Sequence, residues 1–178
     1  QCNEVYNKCN KMLGFIRRNF TNCSGQVKHV CIMPLSGYNM ISVVRPGIHR
    51  NSQCSMLEQI HKRGARMVCR DWDSGYNLLL QRLGWTSLEN RRKYLRLVMA
   101  YKIMNNLTDG NSLCKFRPPN RISRNDHALK VQVPFAKTDY FMNSYFVRTA
   151  KDWNATPGHI AHSNFFFFKS SLMDHFLT

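Results

Sequence analysis

The sequence predicts a mainly α-helical protein, in which a helical bundle is followed by a loop-rich C-terminal extension with one or two short strands. Residues 56–70 give the clearest pattern, because their apolar side chains fall on one arc of a helical wheel and their cations on the opposite arc. Residues 106–126 are instead rich in Asn, Pro and Arg, a composition typical of loops. This segment divides the chain into predicted regions 1–105 and 106–178.

The first two segments of the bundle differ in clarity. A helix is predicted over 3–18, where the apolar side chains share one face. These side chains are Val5, Cys9, Met12, Leu13 and Ile16. Residues 26–53 are ambiguous, because 27–33 suit either a short strand or a helix and because Pro and Gly residues interrupt the remainder of the segment.

Glycine marks a close contact in the helix over 56–70. Gly64 lies within the apolar arc, and glycine costs a helix about 1 kcal/mol relative to alanine. We therefore expect another helix to pack closely at this position. The remaining members of the arc are Met56, Leu57, Ile60, Met67 and Val68.

The segment DWDSG at 71–75 is predicted to be a polar turn, with Asp73 or Ser74 capping a short helix over 76–83 that ends at Gly84. The same Asp-x-Asp pair could contribute to a metal site, but two-metal chemistry requires further converging carboxylates. The turn is the favoured interpretation because the chain's ten acidic residues are scattered.

The next helix is predicted to begin near Ser87, because Thr86 and Glu89 match a capping box. Its cations gather on the side of Glu89, which could neutralise part of their charge at i+3 or i+4. Arg91 and Lys102 fall instead in its apolar arc, so their side chains must extend to solvent or find partners.

Three elements are predicted in the C-terminal extension. Residues 128–135 alternate like a strand, and Pro134 restricts that strand to an edge or terminal position. Residues 140–153 suit a helix, and Ser163 is a candidate cap for a last helix that continues to residue 177.

Charge gives the first indication of function. The net charge is +16, and the first 105 residues hold 17 basic and five acidic side chains. This excess favours a polyanion as partner, with nucleic acid the first candidate and an anionic membrane surface the second. A basic protein without a specific partner is the alternative.

The motifs required for catalysis are missing from the sequence. There is no Cys-x-x-Cys pair, no His pair at i, i+4, no nucleophile motif and no phosphate-binding glycine loop. We therefore expect no catalytic residues, no metal site and no cofactor in this chain. The seven cysteines have an irregular spacing that is typical of reduced thiols.

The N-terminal stretch QCNEVYNKCN is polar and lacks the apolar core of a signal peptide, and no apolar run is long enough to span a bilayer. The first residue is also not Met. These features predict a fragment that works inside the cell, in nucleus or cytoplasm, without secretion and without a membrane partner.

The candidate nucleic-acid-binding residues are the cations of three predicted helices. Arginines on a packed helix can hold phosphates without reading base sequence. We expect the stripe at 62–70 to contribute most, because no acidic residue lies within it. A merely solvated basic face is the alternative, and Trp85 and Trp153 are expected in the core. The candidates are Arg17, Arg18, Lys62, Arg63, Arg66, Arg70, Arg91, Arg92, Lys93 and Arg96.

Six motifs occur in the order in which one protein family has them. They are LGFIRRNF (13–20), VVRPGI (43–48), LEQIHKRGARMV (57–68), LGWTSLENRRKYLRLVMAYKI (83–103), TDYFMNSYFVRTAKDWNATP (138–157) and FFFK (166–169). Together they resemble the region after the palm in reverse transcriptases of non-LTR retrotransposons of the jockey type and its relatives. The likeness covers nearly the whole chain.

The resemblance implies a role in an RNA-directed DNA polymerase. Residues 1–105 would be the thumb, which packs along the template–primer duplex, and 106–178 an extension that supports it. The catalytic aspartates and their Mg²⁺ would lie in an upstream palm, so this chain alone is predicted to be inactive. Implied partners are RNA or RNA/DNA hybrid and the palm and fingers of the same polyprotein.

Some positions depart from the family pattern. His49 and Arg50 stand where an acidic residue and Tyr are usual, and residues 30–37 look inserted. These departures indicate a partial or degenerate copy. The alternative function is a non-enzymatic basic helical module, derived from such an element, that binds nucleic acid or docks to protein or membrane through Phe165–Phe168.

Overall fold

The computed structural model describes residues 2–34, 51–108, 116–119 and 128–177. These residues are mainly helical and contain no strand, which confirms the predicted fold class. Two predicted features, the VVRPGI motif at 43–48 and most of the loop at 106–126, lie outside them. The helices are α1 (Cys2–Asn19), α2 (Gly25–Pro34), α3 (Asn51–Cys69), α4 (Tyr76–Leu83), α5 (Leu88–Met104), α6 (Asp139–Met142), α7 (Tyr145–Asn154), α8 (Gly158–Ala161) and α9 (Phe165–Leu177).

The chain divides into two compact units. Among the described residues, unit 1 comprises 2–34 and 51–89, and unit 2 comprises 90–108, 116–119 and 128–177. Compactness thus divides the chain at Glu89–Asn90. The predicted regions 1–105 and 106–178 rest on the loop-like composition of 106–126 and on the family resemblance, and they stay a prediction.

Unit 1 is built around the apolar face of α3. Leu57, Ile60 and Val68 are buried there, as the helical period predicts, whereas Met56 and Met67 are half-buried. A Cβ atom added to Gly64 would lie 3.1 Å from Ile32 Cγ2 of α2 and 4.0 Å from Leu13 Cδ2 of α1. The expected close approach at Gly64 is therefore confirmed, and α2 resolves the ambiguity at 27–33 in favour of a helix.

The turn at 71–75 forms as predicted, but a different residue organises it. Asp71 Oδ1 accepts hydrogen bonds from the backbone N–H groups of Asp73 and Ser74, at 3.2 and 3.0 Å. Gly75 is the N-cap of α4 and makes no side-chain cap, so the predicted caps at Asp73 and Ser74 are wrong. The Asp71 carboxylate already accepts the backbone N–H groups of the turn. Helix α4 therefore begins after Gly75, whose backbone is extended, without a side-chain cap. At the other end, Gly84 closes α4 with φ 61°, as expected.

Helix α5 begins at Leu88, close to the predicted start. Its backbone N–H at Leu88 donates to Glu58 Oε1 of α3 at 3.1 Å. A carboxylate from the neighbouring helix therefore satisfies one of the donors that a helix leaves open at its N-terminus.

Unit 2 has an aromatic core. Trp153 and Phe168 are almost fully buried, with ring centroids 5.7 Å apart, and Tyr101 stacks on Phe168 at 4.4 Å. The Tyr101 hydroxyl donates to the Ser163 carbonyl at 2.7 Å, so the buried polar atom is satisfied. The expected core position of Trp153 is confirmed.

Residues 130–136 have no regular secondary structure, so the strand predicted over 128–135 does not form. A side chain takes the place of a partner strand: Asn154 Oδ1 accepts from Val131 N–H at 2.9 Å, and Asn154 Nδ2 donates to Val131 O at 2.8 Å. Val131 is buried, but Leu129, Val133 and Phe135, the other apolar side chains of the alternating pattern, are exposed. The strand prediction failed because the backbone is satisfied by an amide side chain that sequence periodicity does not reveal.

The predicted helix over 140–153 is interrupted at residues 143–144, which separate α6 from α7. Ser144 is the N-cap of α7 and has an extended backbone with ψ 158°, so a new helix begins at Tyr145.

The last helix is capped by Asn164 and not, as the sequence predicted, by Ser163. Asn164 Oδ1 accepts from Phe167 N–H at 2.9 Å, whereas the Ser163 hydroxyl donates to Ile160 O at 2.6 Å.

Candidate nucleic-acid interface

The candidate cations of unit 1 lie on α1, on α3 and directly after α3, and these two helices pack together at Gly64. Arg17 and Arg18 occupy the last turn of α1 and are exposed. Lys62 and Arg66 are half-buried on α3, and Arg63 is exposed there. The two helices therefore present basic side chains to solvent within one compact unit.

Arg63 joins the two helices on this surface. Its Nη1 donates to Asn10 Oδ1 of α1 at 3.2 Å. Arg17 lies seven residues after Asn10 and so on the same stripe of α1. The amide of Asn10 positions the guanidinium without neutralising its charge.

Arg70 has an unusual backbone for its residue type. It follows α3 with φ 54°, in the left-handed region that glycine usually occupies at a helix end. The backbone N–H of Asp71 donates to Arg66 O at 3.3 Å, which completes the helix-terminating motif. An arginine there carries a strain of about 1 kcal/mol relative to glycine, which its side-chain bonds offset.

Those bonds connect Arg70 to the turn between α1 and α2. Its Nη2 donates to Cys23 O at 3.1 Å and to Thr21 O at 3.4 Å. Lys28, which is only 5% exposed, donates to the same Thr21 carbonyl at 3.1 Å. Arg70 and Lys28 thus donate to one neutral acceptor, a contact that the weakly periodic sequence of α2 did not indicate.

We call Arg17, Arg18, Lys62, Arg63, Arg66 and Arg70 the α1–α3 basic surface. In the part of the chain that the structure describes, none of these six side chains forms an ion pair. The hydrogen bonds of the Arg63 and Arg70 guanidinium groups go to an amide and to backbone carbonyl groups. Acidic side chains of the described residues therefore leave the positive charge of this surface uncompensated, and a polyanion is the complementary ligand.

The candidate cations of unit 2 have a different environment. Arg96 Nη2 lies 2.7 Å from Asp152 Oδ2 of α7, and Lys93 Nζ lies 3.6 Å from Asp152 Oδ1. Arg92 is only 8% exposed, and Arg91 is half-buried. The acidic partner of Lys93 and Arg96 is therefore Asp152 on α7 rather than Glu89 on their own helix.

Aromatic rings cover two lysines of α5. Lys93 Nζ lies 4.7 Å from the centroid of Phe176, and Lys102 Nζ lies 5.5 Å from that of Phe165. Lys102 thus finds the partner that its apolar position required. Burial, ion pairing and ring contacts all count against phosphate contacts by Arg92, Lys93 and Arg96.

A polar and aromatic cluster supports unit 1 from within. Trp85 lies between His29 and His61, with ring centroids 5.4 and 5.1 Å away, and its indole N–H donates to His29 Nε2 at 2.7 Å. The Tyr76 hydroxyl donates to Glu58 Oε1 at 2.7 Å and accepts from His61 Nδ1 at the same distance. Trp85 is half-buried, and this hydrogen-bonded stack has a structural role that spacing along the sequence did not predict.

The causes of the pKa shifts in the described residues do not include a cation of the α1–α3 basic surface. Hydrogen bonds from the side chain and backbone of Ser74 lower the pKa of Asp71 to about 2, so this carboxylate stays charged. Burial raises the pKa of the Cys9 thiol, and Cys9 is free rather than disulfide-bonded.

Two kinds of feature are missing from the described residues. No group of three or more His, Cys, Asp or Glu side chains is placed there to hold a metal ion. Of the helices described, none combines the length and apolar character needed to cross a bilayer. No protein family, curated protein or solved structure was found to match this chain.

Proposed function

We propose that this chain binds RNA or RNA/DNA hybrid through its sugar–phosphate backbone, as the thumb and C-terminal extension of a retrotransposon reverse transcriptase. The observation that carries this proposal is the α1–α3 basic surface, whose six cations have no acidic partner among the described residues. Backbone binding needs phosphates to be neutralised and needs no base-reading groups. The ordered motifs that resemble the retrotransposon enzymes support the polymerase context.

Salt dependence tests the binding. Arg17 and Arg63 are exposed, so replacing both with Gln removes two charges at little cost to folding. Binding of a labelled RNA/DNA hybrid is measured by fluorescence anisotropy between about 50 and 200 mM salt. The double variant should bind more weakly, and its log–log salt slope should flatten by about one unit per lost contact.

A matched control removes the same charge elsewhere. Lys151 and Lys169 are exposed lysines of unit 2, and Lys151→Gln with Lys169→Gln lowers the net charge equally. The proposal requires the control to stay close to the wild-type slope. If both double variants lose affinity equally, binding depends on net charge and not on the α1–α3 basic surface.

The polymerase context predicts that this chain does not extend a primer by itself. The resemblance places the carboxylates that hold two metal ions in an upstream palm. Purified protein is incubated with primed RNA template, nucleotides and Mg²⁺ or Mn²⁺. Primer extension above that of a buffer blank would contradict the assignment.

A second candidate function is a basic interaction module that has lost the polymerase. Phe166 and Phe167 are 84% and 55% exposed, which leaves two of the four consecutive phenylalanines available for docking. Phe165 and Phe168 instead contact Tyr101, so only two of the four rings predicted for docking remain for it. The genomic sequence upstream separates the two functions, because a reverse transcriptase requires an open frame encoding a Tyr-x-Asp-Asp palm.

A further inference from the structure

An apolar segment of unit 2 is exposed although its ends are held firmly. Within residues 133–142 five large apolar side chains face solvent: Val133, Phe135, Tyr140, Phe141 and Met142. Phe135 is 83% exposed and Tyr140 72% exposed. Single exposed apolar residues are common, but a run of this density indicates a binding surface.

The segment is fixed before Phe135. Trp153 Nε1 donates to Leu129 O at 2.8 Å, and Gln132 N–H donates to Arg117 O at 2.7 Å. The two hydrogen bonds between Asn154 and Val131 lie between them. Pro134 then restricts the backbone next to Phe135.

The segment is fixed again after Phe135. Thr138 caps the short helix α6, because its hydroxyl accepts from Phe141 N–H at 3.3 Å. The Asn143 side chain donates to Asp139 O at 2.7 Å and closes the same turn. Tyr140 is therefore presented on a hydrogen-bonded turn, which reduces the conformational entropy that binding would cost.

Cations accompany these rings. Lys137 is exposed and lies between Phe135 and Tyr140 in the chain. Arg117 is exposed too, and its carbonyl bonds to Gln132 next to the segment. Asp139 is the one acidic residue within 128–151. An apolar protein partner would match the rings but not this positive charge, whereas a single-stranded nucleic acid matches both.

We propose that Phe135 and Tyr140 form a stacking site for the bases of a single-stranded nucleic acid, with Lys137 and Arg117 near its phosphates. Aromatic platforms between cations bind single strands with little sequence preference, because every base offers a π face. Paired bases in a duplex are stacked on one another and cannot use such a site. The site lies in unit 2 and does not rest on the α1–α3 basic surface.

The test compares strands of one length. The full chain is titrated into a labelled single-stranded RNA of about 12 nucleotides, within the site sizes of single-strand binders, and into an RNA/DNA hybrid of that length. Phe135→Ala combined with Tyr140→Ala should weaken single-strand binding about tenfold. Hybrid binding, which the proposed function assigns to unit 1, should change by less than about twofold.

Two further variants keep the result interpretable. Phe166→Ala removes a ring of equal exposure from the same unit and should leave single-strand binding intact. Phe135→Tyr with Tyr140→Phe retains both rings and should bind like wild type. An equal loss in the Phe166 variant, or failure of the ring-retaining variant, would overturn the stacking site.

Other occupants are also outcomes of the test. Wild type and the double alanine variant are mixed with vesicles of phosphatidylcholine containing phosphatidylserine. If the double variant loses vesicle binding and keeps single-strand binding, the segment is a membrane contact and the proposal is wrong. Unchanged binding of single strands by the double variant overturns it in any case, and leaves the hybrid-binding function untouched.

Discussion

The two units carry similar predicted cations in different electrostatic settings. In unit 1 the guanidinium groups of Arg63 and Arg70 donate to an amide and to backbone carbonyls. In unit 2, by contrast, Lys93 and Arg96 share the carboxylate of Asp152. The sequences of α3 and α5 both suggested basic helices. The difference shows that a cationic stripe becomes a candidate phosphate surface only where the tertiary fold leaves its charge uncompensated.

The largest expected effect on hybrid binding comes from replacing the basic side chains of the stripe at 62–70 or those of α5. Arg63, Arg66 and Arg70 replaced together by Gln should weaken hybrid binding more than the same replacement of Arg92, Lys93 and Arg96. The salt slope should flatten by about one unit per lost phosphate contact in the first variant. Anisotropy titrations at several salt concentrations measure both quantities.

Folding has to be checked for both triple variants. Arg70 bonds to the α1–α2 turn and Arg92 is buried, so each variant can lose stability. Thermal melting identifies the temperature at which all three proteins are folded, and binding is compared there. If the 63/66/70 variant keeps the wild-type affinity and the wild-type salt slope, the α3 stripe is only a solvated face.

A second change should make unit 2 resemble unit 1. Asp152→Asn removes the carboxylate beside Lys93 and Arg96, whose side chains are 30% and 15% exposed. Loss of a partner from such a pair should cost about 1–3 kcal/mol of stability. Hybrid affinity at low salt should rise, because two cations lose their internal counter-charge.

The control for Asp152 is Asp139→Asn. Asp139 is exposed and forms no ion pair among the described residues, so the net charge changes equally without releasing a specific cation. Chemical denaturation and anisotropy are measured for both variants. An equal gain of affinity in both would show that ion pairing does not separate the units.

Two glycines provide a smaller contrast within unit 1. Gly64→Ala places a Cβ 3.1 Å from Ile32 Cγ2 and should destabilise the protein, because the buried Ile32 has to shift by a few tenths of an ångström. Gly14→Ala meets only the flexible end of Arg18 at 3.5 Å and should stabilise by about 0.4–1 kcal/mol. Urea denaturation measures both, and a gain in Gly64→Ala would contradict the close packing of α1, α2 and α3.

The smallest expected effect concerns pH at the 71–75 turn. The pKa of Asp71 is lowered to about 2, so its contribution is fully present above the ordinary carboxyl pKa of about 4. That contribution is lost as pH falls through 2, because protonation weakens the bonds that the carboxylate accepts. Melting of wild type and Asp71→Asn should differ at pH 6 and converge towards pH 2. A constant difference would show that the Asp71 charge is not responsible.

Periodicity alone determined much of unit 1. The apolar arc of α3, the close approach at Gly64 and the end of α4 at Gly84 all follow from local spacing and backbone preference. The separation of charge from apolar residues on α3 was visible for the same reason, since side chains three and four apart share a helix face. These features need no knowledge of distant residues.

Tertiary structure decided what local patterns could not. Asn154 is 23 residues from Val131 and Asp152 is 56 residues from Arg96, so neither the strand-replacing amide nor the acidic partner was detectable in a sequence window. Helix propensity and turn chemistry act over a few residues, and they set the elements of this protein. Burial and charge compensation depend on which elements pack together. The fold therefore determined which of the predicted cations remain without an acidic partner among the described residues and accessible to a ligand.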